Sequence, residues 1–163
     1  MALKTMIENL NAARKAYDEQ LAALGAEAAK AVAEFLGQRI PAGFKLEWTQ
    51  YTPYFNDGEP CTFSVHTPYL YKPEGDEEHR WAEEYDTSIE LGCKNYGKDY
   101  TYSDGYVSKA RELIDGISIE DFDALSAAWD ELPEDMLLKA FGDHTKVIVE
   151  SGGAYTNDEF DHD

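Results

Sequence analysis

Thirty-three carboxylates, four histidines and two cysteines are the groups in this chain that could move protons or hold a metal. Their spacing argues against a dedicated reaction. With so many acids, some pair always falls at a separation suited to acid–base work, so pairing alone carries no weight. There is no glycine-rich phosphate loop, nucleophile elbow, zinc-type spacing or twelve-residue calcium loop. Cys61 and His66 lie on opposite faces of any regular strand and cannot both reach one ion. His79, His144 and His162 fall in polar loops or the tail. Asp158, Glu159, Asp161, His162 and Asp163 form the densest oxygen-donor group but lack a binding-loop pattern. The expectation is a chain that is not an enzyme and uses no cofactor and no metal. Cys61 and Cys93 are expected to be free thiols, with Cys61 a small core residue.

The charge is unevenly distributed. Of a net −19, residues 1–55 contribute nothing, with six acids balanced by six bases, whereas residues 56–90 hold ten acids against two bases and residues 99–163 seventeen against four. A neutral arm joined to an anionic body suggests that one part packs while the other presents a field.

The elements follow from local pattern. Residues 2–36 read as one long helix, rich in Ala, Leu, Lys, Glu and Gln, without proline, and ended by Gly37 and Pro41. Gly25 is its weak point. Leu3, Ile7, Leu10, Arg14, Tyr17, Leu21, Leu24, Ala28, Ala31 and Phe35 step by fours and threes, a 3.5-residue seam broken only by Arg14. A helix of this length spans roughly 50 Å, more than the roughly 40 Å diameter of a compact domain of this size. Pairing with a second copy through Leu3, Ile7, Leu10, Tyr17, Leu21, Leu24 and Phe35 is expected. The competing expectation is that Met6, Val32 and Leu36, off the seam, turn the helix onto its own sheet.

Phe44, Leu46 and Trp48 alternate with polar residues as a half-buried strand does, and a turn at Asp57-Gly58 returns the chain through Cys61 to His66, predicting a β-hairpin. A further strand is predicted at 84–91. Thirteen of the 21 aromatic residues lie between Trp48 and Tyr106, which suits a sheet with wet tyrosine tips; a ligand-stacking platform is the functional alternative. Helices are predicted at 104–115, at 118–131 with Ser118 as cap, and from Pro133 to Gly142. Lys146–Glu150, a Ser151-Gly152-Gly153 turn and 154–160 predict a second hairpin. The fold class is α+β: a neutral helical arm over 1–37 and an acidic domain over 38–163, with a small antiparallel sheet and two to three acidic helices.

Once the apolar faces of those helices are buried, Glu112, Asp115, Glu120, Asp121, Asp123, Asp130, Glu131, Glu134 and Asp135 point outward. Asp76, Glu77, Glu78, Glu83 and Glu84 add a second acidic group. Direct nucleic-acid binding is excluded as an expectation, because stacking platforms need basic neighbours. Nineteen negative charges match those on roughly 32 Å of duplex DNA, so a basic partner that itself binds nucleic acid suits the field. No run of about eighteen apolar residues and no signal-peptide pattern occurs, giving the expectation of a cytoplasmic protein that uses no membrane.

The run Trp48-Thr49-Gln50-Tyr51-Thr52-Pro53-Tyr54-Phe55-Asn56-Asp57-Gly58-Glu59-Pro60-Cys61, with the ending Gly142-Asp143-His144 to Phe160-Asp161-His162-Asp163, resembles uncharacterised small acidic accessory proteins of tailed bacteriophages. That resemblance implies no catalytic residues. Many small acidic phage proteins inhibit host nucleases or defence systems, so it implies a viral inhibitor of a basic host protein in the host cytoplasm, and the charge match to duplex DNA adds DNA mimicry as its expected means. The alternative is a structural or assembly protein that forms a homo-oligomer, a dimer in the simplest case, through its arm.

Overall fold

The computed structural model describes residues 2–55, 57–74 and 81–161. Helix α1, Leu3–Gly37, is followed by β1 (Lys45–Tyr51), β2 (Ser64–Val65), β3 (Tyr69–Tyr71), β4 (Ser88–Glu90), β5 (Tyr100–Thr101) and β6 (Val107–Ser108). Helices α2 (Ile119–Asp130) and α3 (Glu134–Phe141) then lead to β7 (Thr145–Glu150) and β8 (Tyr155–Glu159). The main sheet runs β4-β3-β1-β7-β8, entirely antiparallel, with β2 pairing the end of β1 on the same edge as β3; β5 and β6 form a separate two-stranded ribbon. The class is α+β, as the sequence predicts.

One face of the sheet carries the core. Leu46, Trp48, Leu70, Ile89, Val147 and Val149 meet Val32, Ala33 and Leu36 of α1, Phe122 and Leu125 of α2, and Leu137 and Phe141 of α3. Trp48 packs on Trp129 and Phe141, with ring centroids 4.9 and 5.5 Å apart. Its indole N–H donates to Gln50 Oε1, and the Gln50 amide, wholly buried, donates to the carbonyls of Leu137 and Gly142. A polar group survives in this core because both ends of its amide are satisfied and it ties off the last turn of α3.

Several local predictions hold. Ser118 Oγ accepts the Asp121 N–H at the start of α2, Gly142 ends α3 at φ 90°, and β7 and β8 form the C-terminal hairpin. Others do not. Residues 104–115 form no helix: Asp104 accepts the Tyr106 N–H in a tight turn, β5 and β6 pair across it, and Asp99 and Asn95 hold the backbone at Ala110 and Lys109. These side chains give the backbone partners that a helix would otherwise supply. Glu112 therefore stands on a loop and Asp115 in the turn that follows it. In the expected hairpin of 44–49 with 61–66, only Ser64 and Val65 pair, against Tyr51 and Gln50, because β3 and β7 occupy both edges of β1 further along. Cys61 lies in the loop before β2, half-buried and outside the core, and Cys61 and Cys93 are free thiols. At 84–91 only Ser88–Glu90 is strand, preceded by a 3-10 turn at Ala82–Glu84.

Candidate functional site

The C-terminal third of α1 belongs to the head of the molecule. Gly25, Ala29, Val32, Ala33, Leu36 and Gly37 are buried. The glycines are there for contact: a methyl on Gly25 would come within 2.6 Å of the Lys139 carbonyl oxygen of α3, and one on Gly37 within 2.3 Å of the Gly153 nitrogen. Gly152 N–H donates to the Gly37 carbonyl at 3.0 Å. The helix is thus clamped to α3 and to the β7–β8 turn by two points where backbone meets backbone.

Beyond that clamp the helix is exposed to solvent. Residues 2–20 are all exposed, and Leu3 (71%), Leu10 (51%), Tyr17 (60%) and Leu24 (58%) keep most of their surface in water, as do Met6 and Ile7. Most helical stability in proteins comes from tertiary packing of an amphipathic face, and an apolar stripe this large, interrupted only by Arg14, is rare on a monomer. The stripe that the head buries is the predicted seam displaced by one residue (25, 29, 32, 36 against 24, 28, 31, 35), a rotation of about 100°. Val32 and Leu36 do turn onto the head, while Met6 does not, and the seam stays open. Of its residues, Leu21 and Phe35 are half-buried and Leu24 is exposed; Arg39 stacks on the Phe35 ring at 4.2 Å.

Where the open seam meets the head there is a groove of about 390 Å³ between α1 and α3, lined by Leu21, Leu24, Gly25, Ala28, Pro133 and Met136, with Asp135 and Lys139 at its rim. The contribution of Pro133 and Met136 is invisible to the seam pattern. Gly25 was the available signal, since a glycine inside a long helix marks a close approach.

The acidic residues divide by location. Glu120, Asp121, Asp123, Asp130, Glu131, Glu134 and Asp135 are all exposed on or beside α2 and α3. Lys98 lies 3.7 Å from Asp123; among the described residues the others have no ion pair. Glu112 and Asp115 are exposed on their loop, and Glu83 and Glu84 on the 3-10 turn, where Glu84 accepts the Trp81 N–H. Asp76, Glu77 and Glu78 lie outside the described residues, as do His79, His162 and Asp163.

The opposite face of the sheet holds an aromatic cleft of about 270 Å³, lined by Glu47, His66, Tyr69, Trp81 and Phe160 among others. Its polar groups already serve one another. The buried Glu47 carboxylate accepts the Ala82 N–H at 2.9 Å and lies 3.8 Å from Lys146; burial raises its pKa, against the pull of those two partners. Lys146 sits over the Trp81 ring at 5.0 Å, taking the place a cationic ligand would fill. Nearby, Thr52 donates through both N–H and hydroxyl to Asp143 at 2.7 Å. Burial pushes the Asp143 pKa up, but those bonds, with the His144 N–H and imidazole, outweigh it and leave it lowered. Tyr54 stacks on His144 at 4.9 Å. These contacts hold a loop to a sheet and form no nucleophile–base pair.

Among the described residues no group of three or more His, Cys, Asp and Glu could hold a metal ion, and no helix is long and apolar enough to cross a membrane. No protein-family model, curated protein or solved structure matches this chain.

Proposed function

We propose that this is a non-enzymatic assembly protein that self-associates through α1 and displays an acidic head. The observation that carries this reading is the exposure of residues 2–20 together with the open seam. At tens of micromolar, light scattering is expected to give the mass of a dimer. Replacing Ile7 with lysine and Leu10 with glutamate is expected to weaken association at least 100-fold, since each side chain contributes about 1.5–3 kcal/mol on burial. Both are exposed and remote from the core, so the head keeps its unfolding midpoint. A monomeric native chain overturns the reading. A truncation serves the same purpose only if it stops before Leu21, because a cut near Gly37 removes Ala29, Val32 and Leu36 from the core.

A second reading concerns the head. Phe122 and Leu125 of α2 and Leu137 and Phe141 of α3 are buried in the core, and the carboxylates of both form an outward array on rigid helices. This supports binding to a basic, nucleic-acid-binding host protein, with DNA mimicry by an inhibitor of viral origin as its finest form. Glu120→Lys, Asp123→Lys and Glu131→Lys together are expected to abolish capture of such a partner and leave the fold intact. Capture is also expected to fall steeply between 50 and 500 mM salt, where the screening length drops from about 14 to about 4 Å. Capture indifferent to both changes removes the acidic array from consideration.

A further inference from the structure

Resting on the self-association reading, we infer that two copies pair their α1 helices antiparallel, with the first turn of each entering the α1–α3 groove of the other. Three observations meet in this arrangement. The first is charge. Residues 3–24 are neutral, with Lys4, Arg14 and Lys15 against Glu8, Asp18 and Glu19, while the net −19 sits in the rest of the chain. A parallel pair would set two strongly anionic heads side by side at one end. An antiparallel pair places them at opposite ends of an overlap of more than 30 Å, several screening lengths apart at physiological salt (about 8 Å each).

The second is register. Antiparallel helices set each a position of the heptad against a d position of the partner. About an axis between Lys15 and Ala16, Leu3 meets Ala28, Ile7 meets Leu24, Leu10 meets Leu21, and Arg14 meets Tyr17. The one charged seam residue thus lies against an aromatic ring, a contact favourable to guanidinium. Moving the axis one half-heptad toward the N-terminus leaves Leu24 and the groove uncovered. Moving it the other way sets Arg14 against Leu24 and Ile7 against Ala31. Of these three registers, the first alone sets Arg14 against Tyr17 and covers Leu24 with an apolar side chain.

The third is the groove, which lies where that register delivers Leu3. Its wall is small on the α1 side, at Gly25 and Ala28, and apolar on the α3 side, at Pro133 and Met136, so a leucine opposite Ala28 has a space to fill. Leu3, Ile7, Leu10, Tyr17 and Leu24 are each about half exposed or more, so pairing removes a run of large apolar side chains from water.

Cysteine linkage in the full chain separates the possibilities. Ile7 and Leu24 of opposite copies face each other in this register, whereas the two Ile7 positions lie roughly 25 Å apart, far beyond disulfide reach. On mild oxidation, Ile7→Cys/Leu24→Cys is expected to convert mostly to a covalent dimer whose linked peptides join positions 7 and 24. Ile7→Cys alone and Leu24→Cys alone, like the native chain with Cys61 and Cys93, are expected to remain unlinked. A 7-to-7 linkage shows a parallel pair, and a dimer that forms neither linkage shows another packing; either overturns the antiparallel register and leaves self-association standing. A native chain that is monomeric by light scattering overturns both, and the seam is then the docking face for a different protein.

Discussion

Gly37→Ala is expected to destabilise the head by at least about 3 kcal/mol, more than typical overpacking in a core. The added methyl group would lie 2.3 Å from the Gly153 nitrogen and 2.5 Å from its Cα. Neither is the tip of a flexible side chain that could swing aside. Relief requires the end of α1 to lift from the β7–β8 turn, which breaks the Gly152-to-Gly37 hydrogen bond and pulls Leu36 and Ala33 out of the core. Against a total stability of about 5–15 kcal/mol, the urea midpoint is expected to fall by about 1–3 M at a slope of about 1–3 kcal/mol/M. An unchanged midpoint would show that the junction gives way more easily than its backbone contacts imply.

Trp48→Ala is expected to cost about 3–5 kcal/mol, the range for truncating a buried aromatic residue. It empties the space between the sheet and Trp129 and Phe141 and leaves Gln50 Oε1 without its donor. Trp48→Phe separates the two effects. It restores most of the packing but not the indole N–H, so its remaining loss, about 1–3 kcal/mol, reads the buried unsatisfied acceptor. Equilibrium urea unfolding followed by far-ultraviolet circular dichroism measures both variants. Equal losses for the two would place the whole effect in the hydrogen bond and contradict the packing argument.

Parts of this structure were legible where the sequence states a local rule. Ala- and Leu-rich composition gives α1, Ser118 caps α2, and the glycine pair after Glu150 turns β7 into β8. The failures share a cause in distant partners. Nothing between Asp104 and Asp115 shows that Asn95 and Asp99 will hold that backbone extended, and the spacing of Val107, Leu113 and Ile114 imitates a helical face. The alternation at Phe44–Trp48 shows a strand but not that its long neighbour is β7. β3 is only three residues long, too short for any period to register. The open seam was readable because its spacing is internal to one helix. The groove beside it was hidden, since Pro133 and Met136 reach Gly25 only through the fold. The acidic face was readable as composition, but which acids stand on rigid helices depended on the mistaken helix at 104–115.

The pairing of β1 with β7 also sets an order of events during synthesis. More than ninety residues separate these two strands in sequence, and ribosomes add about 5–20 residues per second. For about 5–20 s, then, the amphipathic arm and β1 are outside the ribosome while the strand that completes the sheet has yet to emerge. Helix formation takes only microseconds, and the arm carries its seam without help from the head. If the arms pair as proposed, arms on neighbouring ribosomes of one messenger RNA can meet before either head has closed, and assembly then precedes folding.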